Sequence, residues 1–281
     1  MINKWRSGYL IMLGLAILLV GLAGCKSEPD SSAPHVVSND GIAYKETPLK
    51  EEDIVKTLKA NDVELTASPS DSYFKLNKVK PSIYALPGKE RIMLYVYHNA
   101  KDTKKARLDF AEQTKVMNVN APLFYNVKNI LILYQPNVSG ERPRERTIYN
   151  SGIESSIEQL LGDEIYVQHF KYYNVSKWKS FINSFINHQA DQVKITSLTI
   201  EGDPIYIYLI TDGTKLQYVH DNSEDAFGGS DTGASKTVCT NIEQEKTEEG
   251  NIRYVATGCQ IGDNRSIMTI PEDSMKKDSG S

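Results

Sequence analysis

The run QVKITSLTIEGDPIYIYLITDGTKLQYVHD, residues 192–221, decides the fold. Its stretches 192–200, 205–212 and 215–221 are rich in Ile, Val, Thr and Tyr. Branched and planar side chains of this kind suit a pleated sheet. The connections Glu201-Gly202-Asp203-Pro204 and Asp212-Gly213-Thr214 are short. Parallel neighbours need a crossover of about a dozen residues or more, so these strands run antiparallel.

Working outward, NVSKWKSFINSFINH at 174–188 reads as an amphipathic helix. Val175, Trp178, Phe181, Ile182 and Phe185 recur at helical spacing, and Asn174 or Ser176 is placed to cap it. Downstream, 236–246, 251–259 and 265–270 read as three more strands. Residues 165–275 are therefore expected to form an antiparallel meander with one helix packed on it. Upstream, 48–162 alternates differently, in the order helix, two strands, helix, two strands, helix. In RIMLYVYHN, 91–99, both alternating sets of side chains are apolar or aromatic, which marks a central strand. The fold class expected is α+β, with two small domains (48–162 and 165–275), each a mainly antiparallel sheet with helices on one face.

The chain holds three cysteines, Cys25, Cys239 and Cys259. Glu248-Glu249-Gly250 suits a three-residue hairpin loop with Gly250 in the left-handed conformation. That loop pairs residues whose numbers sum to 498, and the register brings Cys239 opposite Cys259. Opposed residues lie roughly 4.5–5.5 Å apart at Cα, within disulfide range. Cys25 is then the odd thiol.

Cys25 ends LAGC, Leu22–Cys25, after a positive segment with Lys4 and Arg6 and an apolar run. Residues 1–24 thus read as an export signal. LAGC resembles the lipobox of bacterial lipoproteins. The resemblance implies that the Cys25 thiol carries a diacylglyceryl group and becomes the new N-terminus. A membrane is then the first partner, reached through Cys25, and the expected location is the extracytoplasmic face of the cell membrane. Residues 25–47, rich in Ser, Pro and Asp, are expected to be a flexible tether, and 276–281 a disordered tail. Cleavage removes Lys4 and Arg6 and no acid, leaving 30 basic against 36 acidic side chains in 257 residues. A net charge of −6 excludes a basic nucleic-acid footprint.

KITSLTIEGDPI at 194–205, DNSEDAFGG at 221–229 and the late cysteine pair resemble the lipoprotein domain known as domain of unknown function 4362. The resemblance covers about 165–275. It implies export in a Gram-positive bacterium and supplies no catalytic residues.

No catalytic constellation, cofactor fingerprint or metal set is expected. The acidic loop with Asp221, Glu224, Asp225 and Asp231 lacks the Gly and Glu that an EF-hand needs at its sixth and twelfth places, which are Ala226 and Thr232. Asp231-Thr232-Gly233 has no second copy and no apolar strand leading into it, as an aspartic-protease dyad requires. Ser176-x-x-Lys179 lacks its Lys-Thr-Gly companion. No two histidines have zinc-ligand spacing. Arg142, Arg144 and Arg146 read as a solvated loop. Asp203, Asp221, Asn222, Asp225 and Phe227 remain as a speculative ligand or cation loop. The functional expectation is a non-enzymatic binding module for an envelope protein, peptide or polymer, with Tyr206 and Tyr208 as aromatics for a flat partner-binding face. The alternatives are an envelope hydrolase using Asp203, Asp221 and Asp225, or an inhibitor or immunity-type protein.

Overall fold

The computed structural model describes residues 44, 46–68, 74–117, 122–137, 150–168 and 170–276. The export signal, Cys25, most of the tether, the arginine loop and residues 277–281 lie outside the described residues.

The first half builds a five-stranded antiparallel sheet from β1 (Thr66–Ala67), β2 (Ser82–Ala85), β3 (Arg91–Val96), β4 (Leu123–Val127) and β5 (Ile130–Gln135). Their order is β1-β2-β3-β5-β4, so β3 is central, as its two-sided apolar pattern predicts. Ile92, Leu94, Ile130 and Ile132 face helices α1 (Glu51–Ala60) and α3 (Ser151–Leu161). Met93, Tyr95, Leu131 and Leu133 face the other way, onto Ala106 of α2 (Lys101–Thr114). The fold class stands, but this sheet carries helices on both faces. A strand whose two faces are both apolar must be covered on both. Local chemistry sets the helix starts. The Lys50 backbone N–H donates to the Asp53 carboxylate (2.9 Å), and the Ile153 N–H donates to Asn150 Oδ1 (3.2 Å).

The second half holds a six-stranded sheet of β6 (Glu164–Gln168), β7 (Lys171–Tyr173), β8 (Ala190–Leu198), β9 (Pro204–Asp212), β10 (Leu216–Asp221) and β11 (Ala234–Cys239). The order is β11-β10-β9-β8-β6-β7, and β8 to β11 form the expected antiparallel meander. Two strands were not foreseen: β6 and β7 extend the sheet, and β6 pairs with β8 in parallel. The crossover between them runs through α4 (Val175–Ile186). Asn174 does not cap α4. Its side-chain amide donates instead to the Gly162 and Glu164 carbonyls (both 2.8 Å), tying the helix to the start of β6.

The expected strand 236–246 breaks at Thr240. Its first part is β11; its second, β12 (Asn241–Lys246), leaves for a three-stranded sheet with β13 (Asn251–Thr257) and β14 (Arg265–Pro271). The β12–β13 register runs from Asn241↔Thr257 to Lys246↔Ile252, every pair summing to 498, around Gly250 at φ 78°. Trp178 and Phe181 of α4 fill the space between the two sheets, against Ile165, Val193 and Leu209 on one side and Tyr254, Ile267 and Ile270 on the other. A short helix, α5 (Glu272–Lys276), follows β14, so Lys276 is helical rather than part of a tail. Pro34–Ser281 form one compact unit, in which Tyr166 and Tyr173 join the core of the first sheet.

Candidate functional site

The other face of the six-stranded sheet is unusual for an interior surface because it carries charge. Cross-strand register lines up Val219, Tyr208, Lys194 and Glu164 in one row, and Asp221, Tyr206, Thr196 and Tyr166 in the next. Lys194 and Glu164 are 2 % and 4 % exposed. An isolated charge at that depth is prohibitive, so each needs a partner. Lys194 Nζ lies 3.3 Å from Glu164 Oε1 and 3.3 Å from Glu46 Oε1, and it sits over the Tyr206 ring. The Thr196 hydroxyl also donates to Glu164 Oε1. Burial pushes the Glu164 pKa up, against the pull of Lys194. Burial would lower the Lys194 pKa, but Glu164 and Glu46 outweigh it and hold the ammonium well above its ordinary range.

Tyr44 covers this row. It is buried with Tyr206, Tyr208, Ile210 and Val219, its ring 5.2 Å from that of Tyr208. Tyr44 and Glu46, expected in the tether, are thus part of the folded body. Tyr206 and Tyr208 are correspondingly buried, not an exposed aromatic face. Burial raises the hydroxyl pKa of all three tyrosines.

Beside the pair lies a cavity of about 30 Å³. Glu164, Tyr166, Lys194, Thr196, Gly202 and Tyr206 line it from the sheet side; Thr103 and Lys104 of α2, with Asn126 and Lys128 of the β4–β5 hairpin, close it. Glu164 Oε2 and Asn126 Oδ1, both on the cavity wall, are buried without a hydrogen-bond partner. Two acceptors left open on the wall of one space fit a small polar occupant or ordered water.

The residues singled out in the acidic loop have structural engagements. Asp203 accepts from the Ala226 N–H (2.8 Å) and pairs with Lys104 Nζ (2.9 Å). Burial opposes its ionisation, yet those two partners prevail and its pKa is lowered. Asp221 accepts from the Ser223 N–H and Asp225 from the Phe227 N–H, each 2.9 Å, as turn-forming aspartates do. Asn222 Oδ1 accepts from the Gly233 N–H (2.9 Å). Lys104 also donates to the Glu224 carbonyl. The structure therefore brings Asp203 and the 222–228 loop together through Lys104, while the three aspartates do not converge on a common ion. Among the described residues, no group of three or more His, Cys, Asp or Glu is arranged to hold a metal. Phe227 projects to solvent.

Cys239 and Cys259 form a disulfide with their Cα atoms 3.9 Å apart. Backbone bonds flank it on both sides, Thr240 N–H to the Thr257 carbonyl (3.1 Å) and Gln260 N–H to the Val238 carbonyl (2.9 Å). The bond thus clasps the chain where it passes from the six-stranded to the three-stranded sheet. Gly258 at φ 64° makes the close crossing possible, since a Cβ there would meet Thr240 Oγ1 at 2.2 Å. On the chain-entropy model, Cys239→Ser with Cys259→Ser should lose about 3 kcal/mol. Urea unfolding of the double variant checks this, and reductant should then have no further effect.

Glu164 is the residue that sequence reasoning missed. The signal was available in EIYVQ, 164–168, a short alternating run rich in branched and aromatic types.

An α+β fold with a buried charge row and a disulfide-tied sheet crossing defines a class of architecture rather than an activity. Residues 162–254 match the model of a family described as Domain of unknown function (DUF4362). The match takes in Glu164, Lys194, the acidic loop and Cys239, and ends within β13 before Cys259. No curated protein and no solved structure matches the chain.

Proposed function

We propose that this chain is an exported lipoprotein, anchored through Cys25 at the outer face of the cytoplasmic membrane, whose folded body is a non-enzymatic binding module. The observation that carries the binding reading is the cavity beside Lys194, with Glu164 Oε2 and Asn126 Oδ1 open on its wall. Its occupant is a small polar molecule that brings hydrogen-bond donors to Glu164 and Asn126. The disulfide supports the location, because such bonds persist outside the reducing cytoplasm. The backbone N–H groups held by Asp203, Asp221 and Asp225 support a non-catalytic loop.

A second reading, an envelope hydrolase, is favoured by one feature. Glu164 lines a cavity and has a raised pKa, as an acid catalyst does. Cys25→Ala should abolish acyl labelling and release the protein from the membrane fraction; persistent labelling overturns the anchor. Native mass spectrometry of the protein isolated from its own membrane should show a bound small molecule that Glu164→Gln releases. Turnover of an envelope polymer that is lost in Glu164→Gln would replace the binding reading with the hydrolase.

A further inference from the structure

Three loops leave the six-stranded sheet at one end, and each carries an exposed apolar side chain. Strand β6 runs parallel to β8, and β8, β9 and β10 alternate in direction. The ends of β6, β8 and β10 therefore lie together. Phe170 sits in the β6–β7 turn, Ile200 in the β8–β9 turn and Phe227 in the β10–β11 loop. They are 92 %, 93 % and 76 % exposed. Strands spaced about 4.8 Å apart set neighbouring tips roughly 10 Å apart, and the outer two roughly 20 Å apart, along the sheet edge. Single exposed apolar residues are ordinary on a protein surface; one on every loop of one end is not.

The Phe170 tip is set by its own turn, while the Ile200 and Phe227 loops are tied to each other at their base. Phe170 lies at φ 63°, a conformation that points to a constrained turn. The Phe227 N–H is fixed by Asp225, and the Ala226 N–H by Asp203 at the foot of the Ile200 turn. Separate projecting tips do not offer the continuous packed patch that a protein partner covers. They do suit entry between lipid headgroups, where each side chain is buried singly.

We propose that this end of the sheet rests on the lipid surface, with Phe170, Ile200 and Phe227 entering the boundary between headgroups and acyl chains. The inference rests on the reading of Cys25 as the lipid anchor and adds which end of the body faces the bilayer. The chain outside the described residues fits the arrangement. Tyr44, where the described chain begins, packs on Tyr206 and Tyr208. Tyr206 lies two positions from the start of β9, in the half of the strand toward the tips, and Tyr208 at its midpoint. Eighteen residues lie between Cys25 and Tyr44, a maximal reach of about 65 Å. The anchor thus holds the tips at high effective concentration near the bilayer, and weak insertion suffices. Glu201, Glu224 and Asp225 stand beside the tips, so the contact is apolar and does not depend on anionic lipid.

The test uses the full lipidated protein, reconstituted through its own anchor into phosphatidylcholine vesicles with brominated acyl chains. Phe170→Trp, Ile200→Trp and Phe227→Trp report the three tips. Ile186→Trp reports the opposite end, since Ile186 is 67 % exposed and closes α4 just before β8 begins. Trp178 is fully buried and gives a constant background. Bromine should remove roughly half or more of the added emission at the tips, none at position 186, and high salt should change neither. Protein that floats with the vesicles while its tip tryptophans stay unquenched overturns the proposal and leaves the anchor intact. Equal quenching at position 186 overturns it too, as does tip shielding that follows protein concentration, which would mark a second copy. Protein that fails to float overturns the anchor reading itself.

Discussion

Lys194→Met should destabilise the protein by about 3–5 kcal/mol, because it leaves buried carboxylates without their cation. Methionine keeps the length and apolar stem of the lysine, so little of the loss is packing. What disappears is the ammonium that Glu164 and Glu46 share at 3.3 Å each. Glu164 is only 4 % exposed, so bulk water solvates it poorly. A second change should recover most of the loss: Lys194→Met with Glu164→Leu removes the two deeply buried charges and leaves only Glu46, which is nearer the surface, and a buried pair replaced by apolar groups is often neutral or stabilising. Urea unfolding of the two variants measures this, and equal instability in both would show that packing, not charge, was lost.

The pH dependence follows from the signs. The folded Glu164 pKa is raised above its unfolded value. Its favourable contribution is therefore complete below the unfolded carboxyl pKa and fades as pH rises through the folded one. In Lys194→Met that folded value rises further. The penalty of the substitution should thus be greatest near neutral pH and shrink as pH falls and Glu164 takes up a proton. Asp203 acts in the opposite sense. Its lowered pKa makes its contribution complete above the unfolded carboxyl pKa and lost as pH falls through the folded one. Melting curves of wild type and Lys194→Met across the acid range separate the two. A penalty independent of pH would show that Glu164 is not ionised opposite Lys194.

Local chemistry was legible in the sequence, and long-range pairing was not. The β12–β13 register and its disulfide came from the turn at Glu248-Glu249-Gly250, because a short loop fixes every pair beyond it. Meander β8 to β11 was readable for the same reason. Strand β6 was missed because its partner, β8, lies across a crossover, and nothing within 164–168 announces a parallel neighbour. With β6 missed, Lys194 had no visible counter-ion in the sequence. Tyr206 and Tyr208 passed for exposed aromatics because Tyr44, which covers them, lay in a stretch whose polar composition read as tether. The break at Thr240 was hidden too. Residues 236–246 keep strand character throughout, and only the competition of two sheets for one chain divides them.

Trp178→Ala should cost about 3–5 kcal/mol, as large-to-small changes at fully buried aromatics do. Trp178 is 0 % exposed and sits at the junction of three elements. Its ring stacks on Phe181 within α4 at 5.9 Å and meets Tyr254 of β13 edge-on at 4.8 Å. The six-stranded sheet lies on its other side, through Ile165 and Val193. The β12–β14 sheet is small and meets the rest of the molecule mainly through this core and the disulfide. A three-stranded sheet needs such a packed face for stability. The cavity should therefore loosen that sheet before it loosens the first. Hydrogen exchange is the discriminating measurement: amides of β13 and β14 should lose protection in Trp178→Ala while those of β3 and β5 keep theirs. Equal loss in both would mean that the three sheets open as one cooperative unit. Trp178→Phe, which keeps an aromatic against Tyr254, should retain most of the β13 protection.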